Sequence, residues 1–99
     1  MVNFVVSAAL TLATGKIKGV KVPGKLLNKV YHLSGLSSMR LPYHVEPGES
    51  VESLLGFAWL KNCISCEVAA EIVYSAVKNG KSIEEALSIL VNEILRRCA

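Results

Sequence analysis

The sequence predicts an α+β domain in which a small antiparallel N-terminal sheet packs against a C-terminal bundle of about three helices. In residues 1–45, apolar and polar side chains largely alternate, which is the period of a half-buried strand. In residues 46–99, apolar side chains recur at the period of an amphipathic helix. The chain has 99 residues, of which 52% are hydrophobic, and this is enough for one core. We therefore interpret residues 1–99 as a single domain with a basic β-rich half and a helical half.

The first strand is predicted over residues 2–13. Apolar side chains take every second position in it, namely Phe4, Val6, Ala8, Leu10 and Leu12. Asn3, Ser7 and Thr11 fall on the opposite side of the same period of two. The pattern predicts that the apolar side faces the helices and that the polar side faces solvent.

The second strand is predicted over residues 16–22. Its alternation shifts by one residue at Gly19, which is typical of a β-bulge. With a bulge there, Ile17, Val20 and Val22 face the core. The lysines of this strand then share the outer face, and they are Lys16, Lys18 and Lys21.

A short helix and an edge strand complete the first half. The helix follows Pro23 and ends at Gly35, and its apolar stripe is Leu26, Leu27, Val30 and Leu33. The third strand is predicted over residues 39–45. It belongs at the edge of the sheet because Pro42 has no N–H to donate.

Three helices are predicted for the second half, over residues 50–61, 66–79 and 83–97. Each is preceded by a serine suited to the N-cap, namely Ser50, Ser65 and Ser82. Ser82 and Glu85 have the spacing of a capping box. The last two helices are joined by a short turn and form an αα-hairpin.

Charge is divided unevenly between the two halves. Residues 1–45 carry six basic side chains and no acid: Lys16, Lys18, Lys21, Lys25, Lys29 and Arg40. Residues 46–99 carry five bases and eight glutamates, most of them at helix ends where they complement the helix dipole. The helix dipole does not account for the bases of the first half. We interpret them as a candidate nucleic-acid-binding surface that contacts phosphates and has weak sequence selectivity.

The residue inventory excludes several catalytic classes. The chain has no Asp, so it contains no Ser-His-Asp triad, aspartyl dyad or Walker-B aspartate. Glycine-rich phosphate-binding motifs are absent as well. His32 and His44 have no Asp to orient them. We expect no enzymatic activity, no cofactor and no metal site.

The three cysteines have a structural and a chemical interpretation. Cys63 and Cys66 form a CxxC motif at the start of a predicted helix, where the dipole favours a thiolate. A thiol redox enzyme is the chemical alternative, but that site requires a βαβ unit and here both flanks are helical. Because the αα-hairpin turns at residues 80–82, Cys98 returns beside Cys66 or Cys63. The pattern favours a structural disulfide between these elements.

Apolar side chains outside the helical stripes predict self-association. We expect a homodimer with Phe57, Leu60 and Ile89 at the contact, since monomers rarely expose large apolar patches. Two functions follow from the sequence: binding of nucleic acid, or a homo-oligomeric structural or adaptor role through protein–protein contacts. No apolar stretch reaches the roughly 20 residues of a membrane helix and no basic leader is present, so we expect no membrane partner and a cytoplasmic location.

Overall fold

The computed structural model describes residues 2–36 and 47–98, which contain five α-helices and no β-strand. The helices are α1 (Val2–Thr14), α2 (Gly24–Leu33), α3 (Pro47–Leu60), α4 (Cys66–Lys78) and α5 (Ile83–Arg97). The predicted α+β class is therefore wrong, because the described residues form a helical domain. None of the described helices is both long and apolar enough to cross a membrane.

Helix α5 lies at the centre of the fold and contacts α2, α3 and α4. Its fully buried apolar side chains recur at the helical spacing, and they are Ala86, Leu87, Leu90, Val91 and Ile94. On the outside of this helix, α1 packs against α4, and α2 packs against α3. Burying each of the large aliphatic side chains is worth about 1.5–3 kcal/mol, so this stripe organises the core.

Residues 2–13 lie in helix α1 and do not form the predicted strand. The buried residues of α1 have the spacing i, i+3, i+4 and i+7, and they are Val2, Val5, Val6 and Ala9. Phe4 and Leu12, which the strand pattern placed in the core, are 62% and 59% exposed. The apolar residues of this segment satisfy both periods. The polar ones from Asn3 to Thr11 recur every four residues, and this spacing puts them on one face of a helix.

Residues 16–22 form no strand; their hydrogen bonds to α1 alternate along the chain, as in an extended segment, and they go to side chains of that helix. Their backbone hydrogen bonds alternate without a break on either side of Gly19, so the predicted bulge is absent. Ile17, which was predicted to face the core, is 95% exposed. The predicted third strand, over residues 39–45, lies outside the described residues.

The helices of the second half are confirmed, and one start is corrected. Ser65 caps α4, and Ser82 and Glu85 form the predicted capping box of α5. Helix α3 begins at Pro47, three residues earlier than predicted, because proline suits the first turn of a helix. Ser50 therefore lies buried inside α3 and is not its N-cap.

Candidate nucleic-acid interface

An extended segment held along α1 carries half of the candidate basic residues. We call residues 16–22 the strap; it runs antiparallel to α1 and bonds to its polar face. Asn3 Oδ1 accepts a hydrogen bond from the N–H of Val22 at 2.7 Å. The Ser7 hydroxyl accepts one from the N–H of Val20 at 2.8 Å and donates one to the carbonyl of Val20 at 3.2 Å. These bonds anchor the end of the strap that lies next to the core.

The same arrangement continues to the end of α1. The Thr11 hydroxyl accepts a hydrogen bond from the N–H of Lys18 at 3.0 Å, and the Thr14 hydroxyl accepts one from the N–H of Lys16 at 3.3 Å. Four residues of helix rise about 6 Å, and two residues of extended chain span about 6.6 Å. Because these repeats nearly match, each turn of α1 meets every second residue of the strap.

This register decides where the strap side chains lie. Successive side chains of an extended chain point to opposite sides. Lys16 and Lys18 therefore share the side of the buried Val22, while Lys21 shares the other side with Ile17. All three lysines are exposed. The prediction that the three share one face depended on the bulge and is wrong for Lys21.

The remaining candidate bases lie on α2, with one exception. Lys25 and Lys29 are one turn apart on this helix, and both are exposed. The pKa of Glu84 lies below its ordinary value, first because its carboxylate accepts a hydrogen bond from its own backbone N–H, then because of Ser82, and further because of the charge of Lys29. The charge of Lys29 is thus partly balanced by Glu84. Arg40 lies outside the described residues.

Several basic side chains of the helical half are paired with acids. Arg96 and Arg97 both donate hydrogen bonds to Glu93, and Arg97 Nε lies 2.8 Å from Glu93 Oε1. The bonds from Arg96 and then Arg97 lower the pKa of Glu93 to about 2. Lys81 Nζ lies 3.9 Å from Glu85 Oε2. Of the described bases without an acidic neighbour, four lie in the strap and at the start of α2, and the other two are Lys61 and Lys78.

The cysteines are divided between a bridge and a free thiol. A disulfide joins Cys63 to Cys98, with their Cα atoms 5.4 Å apart, and Cys66 is free. Helix α3 ends at Leu60, and two residues later Asn62 has a left-handed φ of 58°, while the N–H of Cys63 donates to the carbonyl of Ala58 at 2.9 Å. This turn directs Cys63 toward the end of α5. The bridge thus ties the α3–α4 connection to the end of the chain.

A groove of about 620 Å³ lies between α1 and α4, and Thr11, which also bonds to the strap, is among the residues that line it. Phe4 and Leu12 line it from α1, and Cys66, Glu67 and Glu71 line it from α4. The strand interpretation hid this groove because it placed Phe4 in the core. The two carboxylates beside Phe4 repel a polyanion, so Phe4 is not placed to stack on a base.

The residues that hold the strap were not identified from the sequence. They share one face of α1 at spacings of four, four and three, and they are Asn3, Ser7, Thr11 and Thr14. That spacing is the signal that was available, since it marks a polar stripe on an apolar helix. The stripe has a purpose in the structure, because each of its side chains binds a backbone group of the strap.

These features define a small helical domain that displays a lysine-bearing segment on one helix. The chain belongs to the ribonuclease III family: the model of that family, described as ribonuclease III, matches residues 1–99. No curated protein matches the sequence.

Membership of a nuclease family raises the question of a metal centre. Nucleases with two metal ions hold them about 4 Å apart between carboxylates. The described acids do not fit such a centre. The chain contains no Asp, and the described residues contain no group of three or more His, Cys, Asp or Glu side chains able to hold an ion. Glu67 and Glu71 line the same groove but form only a pair.

Proposed function

We propose that this domain binds RNA through phosphate contacts in its N-terminal half and does not itself cleave the RNA. Membership of a family described as ribonuclease III supports RNA as the nucleic acid. The charge layout supports phosphate contacts, because residues 1–45 carry six bases and no acid. The residues proposed for these contacts are Lys16, Lys18, Lys21, Lys25, Lys29 and Arg40.

The observation that carries the proposal is the anchoring of the strap. Lys16 and Lys18 use their backbone N–H groups on Thr14 and Thr11, while their side chains stay exposed. A backbone that is already ordered loses less conformational entropy when the side chains bind a ligand. The Cα atoms of these two lysines are about 6.6 Å apart along the extended chain. An ordered row of cations of this kind suits a row of phosphates.

The proposal of a binding function without catalysis is supported by the acids. Hydrolysis of a phosphodiester by divalent cations requires several carboxylates around one position, and the described acids are dispersed. Contacts to phosphates fix position but carry no sequence information. We therefore expect binding with weak sequence selectivity.

The test compares two sets of charge reversals on the full chain. In the first, Lys16, Lys18 and Lys21 are replaced by Glu; in the control, Lys78 and Lys81 are replaced by Glu. Fluorescence anisotropy with a labelled duplex RNA and a labelled single strand measures binding, and circular dichroism checks the fold. We expect the strap variant to lose RNA binding and the control to retain it. Failure of the unmodified protein to bind either RNA at low salt contradicts the proposal.

Cleavage is tested in the same samples. The labelled RNA is incubated with the protein and Mg²⁺ and then separated on a denaturing gel. We expect intact RNA. Cleavage that disappears in the Glu67→Gln and Glu71→Gln double variant contradicts the proposal that this domain only binds.

A second function, the homo-oligomeric adaptor, is favoured by one apolar surface. Phe57, Trp59 and Leu60 at the end of α3 are 50%, 52% and 76% exposed. Monomers rarely expose several large apolar side chains in succession. If the chain binds no RNA, self-association or binding of another protein through this surface takes the place of the first proposal.

A further inference from the structure

The strap has a second edge that α1 does not use. The backbone groups of residues 18, 20 and 22 face α1 and are bonded to its side chains. In an extended chain, the N–H and C=O of the intervening residues point the opposite way. These residues are Ile17, Gly19 and Lys21, and no described residue offers their backbone groups a hydrogen bond. The strap therefore presents a row of open donors and acceptors to solvent.

We propose that this open edge binds an extended acidic peptide, which adds to the strap as a β-strand. An unpaired edge is a template for pairing with another chain, and strand addition is a recurring mode of peptide recognition. Here helix α1 takes the place of the neighbouring strand that normally holds such an edge in position. Among the described residues, no strand lies beside residues 16–22. The added peptide is therefore the strand that pairs with the strap.

The exposed side chains determine the chemistry of the peptide. Lys16, Lys18 and Lys21 give the strap three positive charges within six residues and no acid, so a complementary strand is acidic. Ile17 is 95% exposed and offers an apolar contact at one end. Gly19 lies between them and leaves open space, since a Cβ added there meets nothing within 4 Å. A second copy of the strap is a poor partner because like charges placed opposite each other destabilise a strand pair.

A nucleic acid satisfies this edge less well than a peptide. Phosphate oxygens accept hydrogen bonds but do not donate them, so contacts to phosphates alone leave the carbonyls of Ile17, Gly19 and Lys21 without partners. A peptide backbone both donates and accepts at the required spacing. The inference does not rest on RNA binding, because it concerns the backbone of the strap and not its lysine side chains alone.

The test uses a pair of variants at Gly19. Proline removes the outward N–H of this residue, and it spares the bonds of Lys18 and Val20 to α1. Alanine retains the N–H, and it is accommodated because Gly19 is not in the left-handed region and has free space around it. The residue before a proline is favoured in the extended region, which the alternating bonds of the strap indicate for Lys18. Circular dichroism and the melting temperature of both variants verify the fold.

The probe is a blocked seven-residue peptide of alternating Glu and Val, titrated into ¹⁵N-labelled protein and followed by amide chemical shifts. We expect the largest shifts at Ile17, Gly19 and Lys21. We expect Gly19→Ala to bind the peptide like the unmodified protein. We expect Gly19→Pro to bind it about tenfold more weakly, because the variant loses the intermolecular hydrogen bond of residue 19 and the hydrogen bonds next to it. The same peptide N-methylated at alternate residues keeps its charge, and we expect it not to bind.

Three results would overturn the inference. The first is equal affinity of the N-methylated and parent peptides for the unmodified protein, because this result shows that charge alone attracts the peptide. The comparison uses only the unmodified protein, so it is valid even if Gly19→Pro does not fold. Another is equal affinity of the Pro and Ala variants for the parent peptide. The third is a parallel loss of duplex RNA binding in Gly19→Pro, which assigns the edge to RNA. Failure of RNA binding in every variant, with peptide binding intact, contradicts only the proposed function.

Discussion

The hydroxyl of Ser7 bonds to both backbone groups of Val20, accepting from its N–H at 2.8 Å and donating to its carbonyl at 3.2 Å. One side chain of α1 thus replaces the two ladder bonds that a neighbouring strand supplies in a sheet. The pair is partly buried, so water does not fully replace these bonds when they are lost. The position of the strap, and with it the basic surface, depends on this contact.

Replacing Ser7 with Ala should lower the free energy of unfolding by about 1–3 kcal/mol, because the N–H and C=O of Val20 lose their partner in a partly buried position. Urea unfolding followed by circular dichroism measures the change. Ser75→Ala is the control, since Ser75 lies exposed on α4 and its replacement should be neutral or slightly stabilising. Equal losses in the two variants would show that the strap is not held by this hydroxyl.

The sequence predicted the helical half well because the apolar spacing there fits a helix and does not fit a strand. The apolar residues from Ile83 to Leu95 recur at the helical period only. Ser82 and Glu85 form both hydrogen bonds of a capping box at the start of this helix. Residues 2–13 misled the prediction because Val, Ala, Leu and Phe occupy nine of the twelve positions, so that apolar spacing alone fits a strand or a helix. Asn3, Ser7 and Thr11 also fit both periods; Thr14, three residues after Thr11, fits only the helix, and the role of all four becomes clear only when the strap lies beside them.

The cysteines and the lysines show a second limit of pattern analysis. Counting residues about the α4–α5 turn put Cys98 near both Cys66 and Cys63, and it could not include the left-handed turn at Asn62 that directs Cys63 to the bridge. The basic character of the first half was evident from composition. The division of the strap lysines between two sides was not, because it follows from the register that α1 imposes.

Cys98→Ser should lower the melting temperature under oxidising conditions and have little effect in reductant. The bridge closes 35 residues of chain, and such a closure is worth roughly 3–4 kcal/mol through the entropy of the unfolded state. Cys66→Ser is the matched control, since it leaves the bridge intact and should melt like the unmodified protein. A larger loss in Cys66→Ser, or thiol-dependent reduction of insulin that Cys63→Ser abolishes, would contradict a structural role.

Acid should weaken the fold in part through Glu93. The bonds from Arg96 and Arg97 lower its folded-state pKa to about 2, below the ordinary value of 4.5. A lowered pKa stabilises the fold at pH values above 4.5, and this contribution disappears as the pH falls toward 2. Urea midpoints measured from pH 6 to pH 2.5 should therefore fall less steeply in Glu93→Gln than in the unmodified protein. Glu71→Gln should keep the slope of the unmodified protein, since no described base pairs with Glu71. A change of slope in Glu71→Gln equal to that in Glu93→Gln would contradict the assignment of this pH dependence to Glu93.

The chain should form a homodimer through the exposed apolar residues Phe57, Leu60 and Ile89. Leu60→Glu places a charge in the proposed contact and should give the mass of a single chain in light scattering at tens of micromolar. Leu12→Glu is the control, because Leu12 is also exposed, at 59% against 76% for Leu60, and lies on α1. A monomeric mass for the unmodified protein would remove the prediction, and dissociation by Leu12→Glu alone would place the contact at the α1–α4 groove.

RNA binding should depend steeply on salt if phosphates are the ligand. Each phosphate neutralised on a duplex contributes about 0.9 to the slope of log affinity against log salt, so three to five contacts give a slope of roughly −3 to −4.5. Replacing Lys25 with Glu should make this slope shallower by about 0.9, which is the contribution of one phosphate contact, since the Lys25 side chain is exposed. Reversing Lys29 should have a smaller effect, because Glu84 already lies near it and balances part of its charge. Lys78→Glu, on the helical half, should leave the slope unchanged. Affinity that is independent of salt, or a slope that only Lys78→Glu reduces, would place the contacts elsewhere on the molecule.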